Sequence, residues 1–205
     1  ERNGFMFDYD AGSCLYRRQK ERMGEIVTEL QEVFPPIVEE RWSEKTGKRL
    51  KDKVEVFNPA SRQQIARRLE SKGVVWEKRT EKGNIIVDET TLGAYVDVPE
   101  AVLILEYLTL GKRSAMVKGW LDAYESDGRI HGYVNSNGTV TGRMTHSNPN
   151  MAQIPSGAEY RSCFVVPQGR KLVGVDASGL ELRMLAHYMR DDAFTQEILD
   201  GDIHT

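Results

Sequence analysis

At 205 residues and 40% hydrophobic content, the chain is long enough for one large or two small domains with a real core. No apolar run approaches the roughly 18 residues of a membrane span, and no secretory leader pattern stands at the N-terminus, so no membrane partner is expected. The net charge of −3 argues against a chain that binds polyanions by bulk charge alone.

Asn3-Gly4 opens a turn before Phe5 and Phe7. Asp8 and Asp10 are candidate caps for a helix reaching about Phe34, because Met23, Ile26, Val27, Leu30, Val33 and Phe34 recur at helical spacing. Pro35-Pro36 stops that helix, and Ile37 to Trp42 reads as one further helical turn. Lys45 to Lys53 is a basic loop, and Val54 to Phe57 a short extended piece. Asn58-Pro59 predicts an N-cap followed by proline at the first helical position, with Ile65, Ala66 and Leu69 inward and Gly73 at the stop. Val74–Trp76 and Ile85–Val87 are expected to pair around the turn at 81–84, and Asp88 to begin a short helix. Pro99 starts the most apolar helix, with Val102, Leu103, Leu105, Leu108 and Leu110 expected in the core and a run on to Trp120 and Tyr124.

Gly128 breaks that helix. Arg129–Val134 and Thr139–Arg143 alternate around Asn135-Ser136-Asn137-Gly138, a hairpin pattern. Residues 148–155 form a polar segment bracketed by prolines, the kind of pinned loop that often carries function. Asp191-Asp192 starts a last helix through Leu199, ended by Gly201.

Charge is unevenly spread. From Arg41 to Lys82 there are thirteen Lys and Arg against six Asp and Glu, so the remainder of the chain carries −10. This fits a basic arm on an acidic body, or simply a solvated helix face. Cys14 and Cys163 lie far apart without metal-ligand spacing and read as free thiols of a reducing compartment. The first residue is Glu rather than Met, which suits a processed or excised piece.

The densest chemistry lies in Lys171–Arg183. Leu172, Val173 and Val175 around Gly174 predict a short buried strand that delivers Asp176 at its carboxyl end. Leu180, Leu182, Met184, Leu185 and Met189 then predict a mostly buried helix. Two roles are open for Asp176: a metal-binding carboxylate on a rigid scaffold, or only the N-cap of the helix behind it.

Three segments recur in a telling order: Thr141-Gly142-Arg143 with Asn148–Pro155, then Asp176-Ala177-Ser178-Gly179-Leu180-Glu181-Leu182-Arg183, then Asp202-Ile203-His204. With this wording and spacing the chain resembles the family A DNA polymerases, the DNA polymerase I family, and is most like members from short-tailed bacteriophages. The resemblance runs from about Asn3 to the end and is most specific from Ile130 onward. It implies an α+β fold in a right-hand architecture, with residues 1–127 as a helical thumb. Residues 128–205 would be the N-terminal part of a palm with an antiparallel sheet, including motif A.

The resemblance also implies an activity, DNA synthesis from dNTPs on primer-template DNA, with Mg²⁺ as cofactor in a two-metal mechanism. Asp176 would supply a carboxylate to the metals and Ala177 a backbone carbonyl. Glu181 would be the steric gate beside the sugar C2′, although a first-turn Glu is also favoured by the helix dipole. His204 would bind phosphates of the incoming nucleotide. Arg143, Asn150 and Gln153 would reach the minor groove near the primer terminus, where A·T pairs offer acceptors in either orientation. Lys112, Arg113 and Lys118 would grip backbone phosphates, where spacing alone reads them as ordinary surface cations. The family's second catalytic aspartate and its fingers are expected in sequence beyond Thr205, and an exonuclease domain is absent from this stretch. Phage members that recruit a host processivity protein carry a long thumb insertion; the matching stretch here, 46–58, is short, so that partner does not carry over. The expectations are therefore a polymerase piece that is inactive alone, a non-catalytic DNA-binding fragment, or one chain of a split enzyme completed by the missing fingers and C-terminal palm. The expected setting is the bacterial or phage-infected cytoplasm.

Overall fold

The computed structural model describes residues 2–201. The chain divides into two compact units, one reaching Val165 and one starting at Val166.

The first unit is built on two long helices, α1 (Tyr9–Val33) and α4 (Pro99–Asp122). α1 begins where Asp8 accepts a hydrogen bond from the Ala11 amide, satisfying one of the unpaired donors of a helix start. α4 begins with proline at its first position, where a missing N–H costs nothing. The helices run antiparallel: Gly12 lies against Leu121, Met23 against Gly111 and Ser114, and Arg22 donates to Glu106 at 2.8 and 3.0 Å. A Cβ on Gly12 would sit 2.5 Å from the Phe7 ring, so only glycine lets the N-terminal strand fold back over the helix.

Each end of this pair carries its own core. At one end Ile26, Leu30 and Phe34 of α1 meet Ala101 and Ile104 of α4. The same cluster takes in Ile65 and Leu69 of α2 (Arg62–Glu70), Leu92 of α3 (Glu89–Gly93), and Phe57, Val74, Trp76 and Val87. At the other end Phe7 and Leu15 meet Val117, Trp120, Ile130, Tyr160 and Cys163. There β1 (Phe5–Met6) pairs antiparallel with β4 (Arg129–Ile130), and α5 (Ala158–Arg161) contributes Tyr160.

Two further ribbons complete the unit, β2 (Ile37–Glu39) with β3 (Lys53–Glu55), and β5 (Tyr133–Asn135) with β6 (Thr145–Ser147), both antiparallel. Helices and small antiparallel sheets together make the α+β class expected.

Several expectations are corrected in detail. Ile37–Glu39 is strand rather than a helical turn, because Pro35-Pro36 sends the chain out extended toward Val54. α2 is capped by Ser61, and Asn58 instead accepts from the Ala60 amide in a turn before it. The 74–76 and 85–87 segments do not pair; the turn closes through Ile86–Lys78 and Thr80–Asn84 hydrogen bonds. The hairpin closes in a different register: Val134 pairs with His146, and 139–143 belongs to its loop. On α4 the fully buried positions are Ala101, Ile104, Val117 and Trp120. Val102 is exposed, and Leu103, Leu105, Leu108 and Leu110 are only partly covered.

The second unit holds α6 (Leu180–Met189) and α7 (Asp192–Asp200), with Asp191 capping α7 through the Phe194 amide. The expected strand at 172–175 is not formed. No described segment pairs with it, so its backbone groups have no ladder to join, and Leu172, Val173 and Val175 are exposed. α6 is also less buried than expected. Among the described residues of this unit only Ala186 and Ile198 are buried, since the main packing of each helix is on the other.

Truncating Trp120, which is fully enclosed at the second core, tests this arrangement. Trp120→Ala is expected to cost about 3–5 kcal/mol of stability, read as a lowered urea midpoint.

Candidate functional site

Asp176, Ala177 and Glu181 come together in one cleft of about 490 Å³, which Ser178, Gly179 and Leu182 also line. The local sequence explains the shape. Gly179 takes a left-handed conformation, φ 59°, and from there starts α6 with no side-chain cap. The Arg183 Nε donates back to the Ser178 carbonyl at 2.9 Å and closes the turn from the helix side. Sequence reasoning placed a turn at 177–179 but passed over the Arg183 bond, although an Arg one turn into the helix was the available signal.

This geometry excludes one of the two roles left open for Asp176. The N-cap position belongs to Gly179, so Asp176 does not cap α6. Asp176 is exposed and makes no hydrogen bond or ion pair to another described residue. Glu181, exposed in the first turn of α6, has interactions of its own. An unengaged carboxylate with a neighbouring backbone carbonyl is a hard-oxygen donor set of the kind that holds Mg²⁺ together with substrate phosphates. Among the described residues no group of three His, Cys, Asp or Glu could hold a metal. Asp176 and the Ala177 carbonyl are thus only two donors of such a set among the described residues. His204 falls outside the described residues.

The polar loop lies in the first unit. Asn150 accepts from the Ala152 amide at 3.1 Å and starts a 3₁₀ turn, Met151–Gln153, leaving Gln153 exposed. β6 leads into this turn and packs against it. Gly132 permits the approach: a Cβ there would lie 2.9 Å from the Met151 side chain and 3.0 Å from the Pro149 carbonyl. Arg143, exposed, sits in the β5–β6 loop, held by its amide donating to Thr139 Oγ1 and its carbonyl accepting from Gly138.

Lys112, Arg113 and Lys118 do not form one cluster. At 100° per residue they leave α4 in different directions, and each has its own neighbour. Lys112 pairs with Glu89 at 2.5 Å, and Lys118 with Asp122 at 2.6 Å. The Asp122 bond raises the Lys118 pKa above its ordinary value. The Arg113 guanidinium lies 5.6 Å from the centre of the Tyr160 ring. Burial pushes the Tyr160 phenol up, and Gln19 donates to its oxygen at 2.9 Å. The Gln19–Tyr160 bond gave no signal in the sequence; only the packing of α1, α4 and α5 brings it beside Arg113.

Residues 35–205 match DNA polymerase family A. The chain is 44% identical to the DNA-directed DNA polymerase of Escherichia phage T7, and equally to that of Enterobacteria phage T3, over 73% of this chain and 25% of each relative. It is 35% identical to the thermostable DNA polymerase I of Thermus aquaticus, over 73% of this chain and 19% of that one. The chain thus spans about a quarter or less of the curated relatives it matches. Its fold is similar to the POL domain of Pol1 from M. smegmatis, solved in complex with DNA primer-template and dNTP. The TM-score is 0.77 at 22% identity, covering 98% of this chain and 34% of that one.

Because Asp176 supports no local structure, Asp176→Asn is expected to leave the unfolding midpoint within about 0.5 kcal/mol of the parent. A capping Asp would lose about 0.5–2 kcal/mol in the same denaturation experiment.

Proposed function

The chain belongs to DNA polymerase family A, and from that premise we propose that it is the thumb and first palm portion of a template-directed DNA polymerase. The observation that carries the reading is the unengaged Asp176 carboxylate, set beside Ala177 and Glu181 in the cleft at the start of α6.

In this proposal residues 1–127 are the thumb and 128–205 the N-terminal part of the palm. Asp176 and the Ala177 carbonyl hold Mg²⁺. When bound, that ion supplies charge stabilisation for in-line transfer of a nucleotidyl group to a primer 3′ hydroxyl. Glu181 closes the space beside the sugar C2′ of the incoming dNTP, and His204 binds its phosphates. Arg143, Asn150 and Gln153 hydrogen-bond the minor-groove edge of the terminal pair. Their donors meet acceptors present at A·T pairs of either orientation, so pair geometry is checked without reading sequence.

Lys112, Arg113 and Lys118 bind the DNA backbone, and for two of them binding has a cost specific to this chain. Lys112 must leave Glu89 and Lys118 must leave Asp122. Exposed pairs of this kind are weak, so a phosphate competes readily. Arg113 already faces an aromatic ring and pairs with no carboxylate among the described residues. The proposed setting is the bacterial or phage-infected cytoplasm, where Cys14 and Cys163 remain the free thiols they are here.

One carboxylate does not define a two-metal site, so fingers and the remaining palm, on the parent chain or a second chain, must complete it. Primer extension with Mg²⁺ and four dNTPs tests this. The chain by itself is expected to extend nothing. Adding a chain with the fingers and remaining palm is expected to restore synthesis, and Asp176→Ala to abolish it. Synthesis by the lone chain that Asp176→Ala removes would overturn the account.

In the completed enzyme, Glu181→Ala is expected to raise ribonucleotide incorporation relative to deoxyribonucleotide by about 10- to 200-fold, the range one pocket contact provides. The readout is the ratio of kcat/KM for the two sugars. An unchanged ratio would leave Glu181 as a helix-start residue only.

A further inference from the structure

The ribbon of β2 and β3 carries a surface that the polymerase reading leaves unused. Its connecting segment, 40–52, is ordered by backbone bonds: Leu50 donates to Arg41 at 2.8 Å, Ser43 to Lys48 at 2.9 Å, and Gly47 to Ser43 at 2.8 Å. Trp42 and Arg49 face each other across this second rung. Two of the cations are occupied locally, Arg49 by Glu40 and Asp52, and Lys53 by Glu39. Arg41, Lys45, Lys48 and Lys51 are exposed and make no ion pair with a described residue.

Trp42 is the second half of the observation. It is 57% exposed, against 8% for Trp76 and 0% for Trp120. Among the described residues no aromatic or cationic side chain packs on its indole. A large open aromatic face among unpaired cations combines the two elements that hold single-stranded nucleic acid: a plane for a base and charges for the phosphates beside it. A duplex hides its base faces within the stack and offers the indole nothing comparable. The apolar residues on the paired strands, Val38 and Val54, are exposed as well, but they lie on the ribbon stem rather than among the free cations.

We propose that this ribbon tip is a single-stranded DNA contact, with Trp42 stacking on a base and Arg41, Lys45, Lys48 and Lys51 binding flanking phosphates. None of its residues is among those assigned above to catalysis or to primer-template contact, and it needs neither metal nor nucleotide.

The test is a fluorescence titration of the 205-residue chain with oligo(dT), in chelator and without dNTP. Trp42 is the exposed tryptophan, so stacking is expected to quench the solvent-exposed part of the emission. Trp42→Ala is expected to weaken binding by about 5- to 150-fold, the worth of one stacked base. Replacing Lys45, Lys48 and Lys51 together with Ala is expected to flatten the slope of log K against log salt by about 2. All these positions are exposed, so circular dichroism melts should match the parent and separate lost binding from lost fold. Arg113→Ala should keep the Trp42 quench, which separates this surface from the proposed contacts on α4. Asp176→Ala should keep it too, so failure of the polymerase reading leaves this result standing, and the reverse.

Equal affinity for blunt duplex and oligo(dT), or unchanged oligo(dT) binding in both ribbon variants, would overturn the proposal. A concentration-dependent dimer by light scattering that Trp42→Ala returns to monomer would overturn it as well, by making the tip a contact between copies of the chain.

Discussion

The antiparallel packing of α1 on α4 is the constraint on which the first unit depends. Most helical stability in proteins comes from tertiary packing rather than from propensity, and both helices fit that rule. They are held by burial at both ends and by the Arg22–Glu106 contact between. Everything else in the unit docks on one end or the other. The basic ribbon and α2 belong to the end near Phe34 and Ile104, whereas the hairpin and the polar loop belong to the end near Trp120 and Ile130. The loop bearing Asn150 and Gln153 is therefore only as well placed as the Phe7–Trp120–Tyr160 cluster beneath it, where rings meet edge-on at 6.3–6.5 Å.

The cleft at Asp176 rests on a different principle. Its unit is small, with little buried area, and its shape comes from local devices: a left-handed glycine, a side chain returning to a backbone carbonyl, and a helix that starts without a cap. Such devices set a turn without engaging its carboxylate. That leaves Asp176 available, which a metal ligand requires and a cap does not allow.

Cations divide in a similar way. Those on α4 are partnered by carboxylates or an aromatic ring, so any phosphate they hold must compete with a standing interaction. Four of those near the ribbon tip have no such partner among the described residues. Net charge conceals this difference, because −3 overall is the sum of a basic arm and an acidic remainder. Screening makes distant charges nearly independent at physiological salt, so the local arrangement governs what each surface attracts.

Much was legible in the chain itself. Asp8 as a cap, the stop at Pro35-Pro36, Pro99 at a helix start, and Asp88 and Asp191 as caps all follow from local stereochemistry, which acts over a few residues and leaves a clear mark, while the α+β class came with the family resemblance. The wording around Asp176 marked it as a candidate site residue. Pairing and burial were not legible in the same way. Val134 meets His146 and not a nearer residue, Ile37–Glu39 runs as strand, and α4 buries Ala101 and Ile104 in preference to its leucines. Each of these depends on what lies opposite. The same holds for 172–175, whose β-branched residues suit a strand that no described neighbour completes. Caps, stops and motifs are properties of a short stretch, and the sequence determined them; register, burial and whether a carboxylate or cation stands unengaged are relations between distant stretches, and only the tertiary structure could decide them.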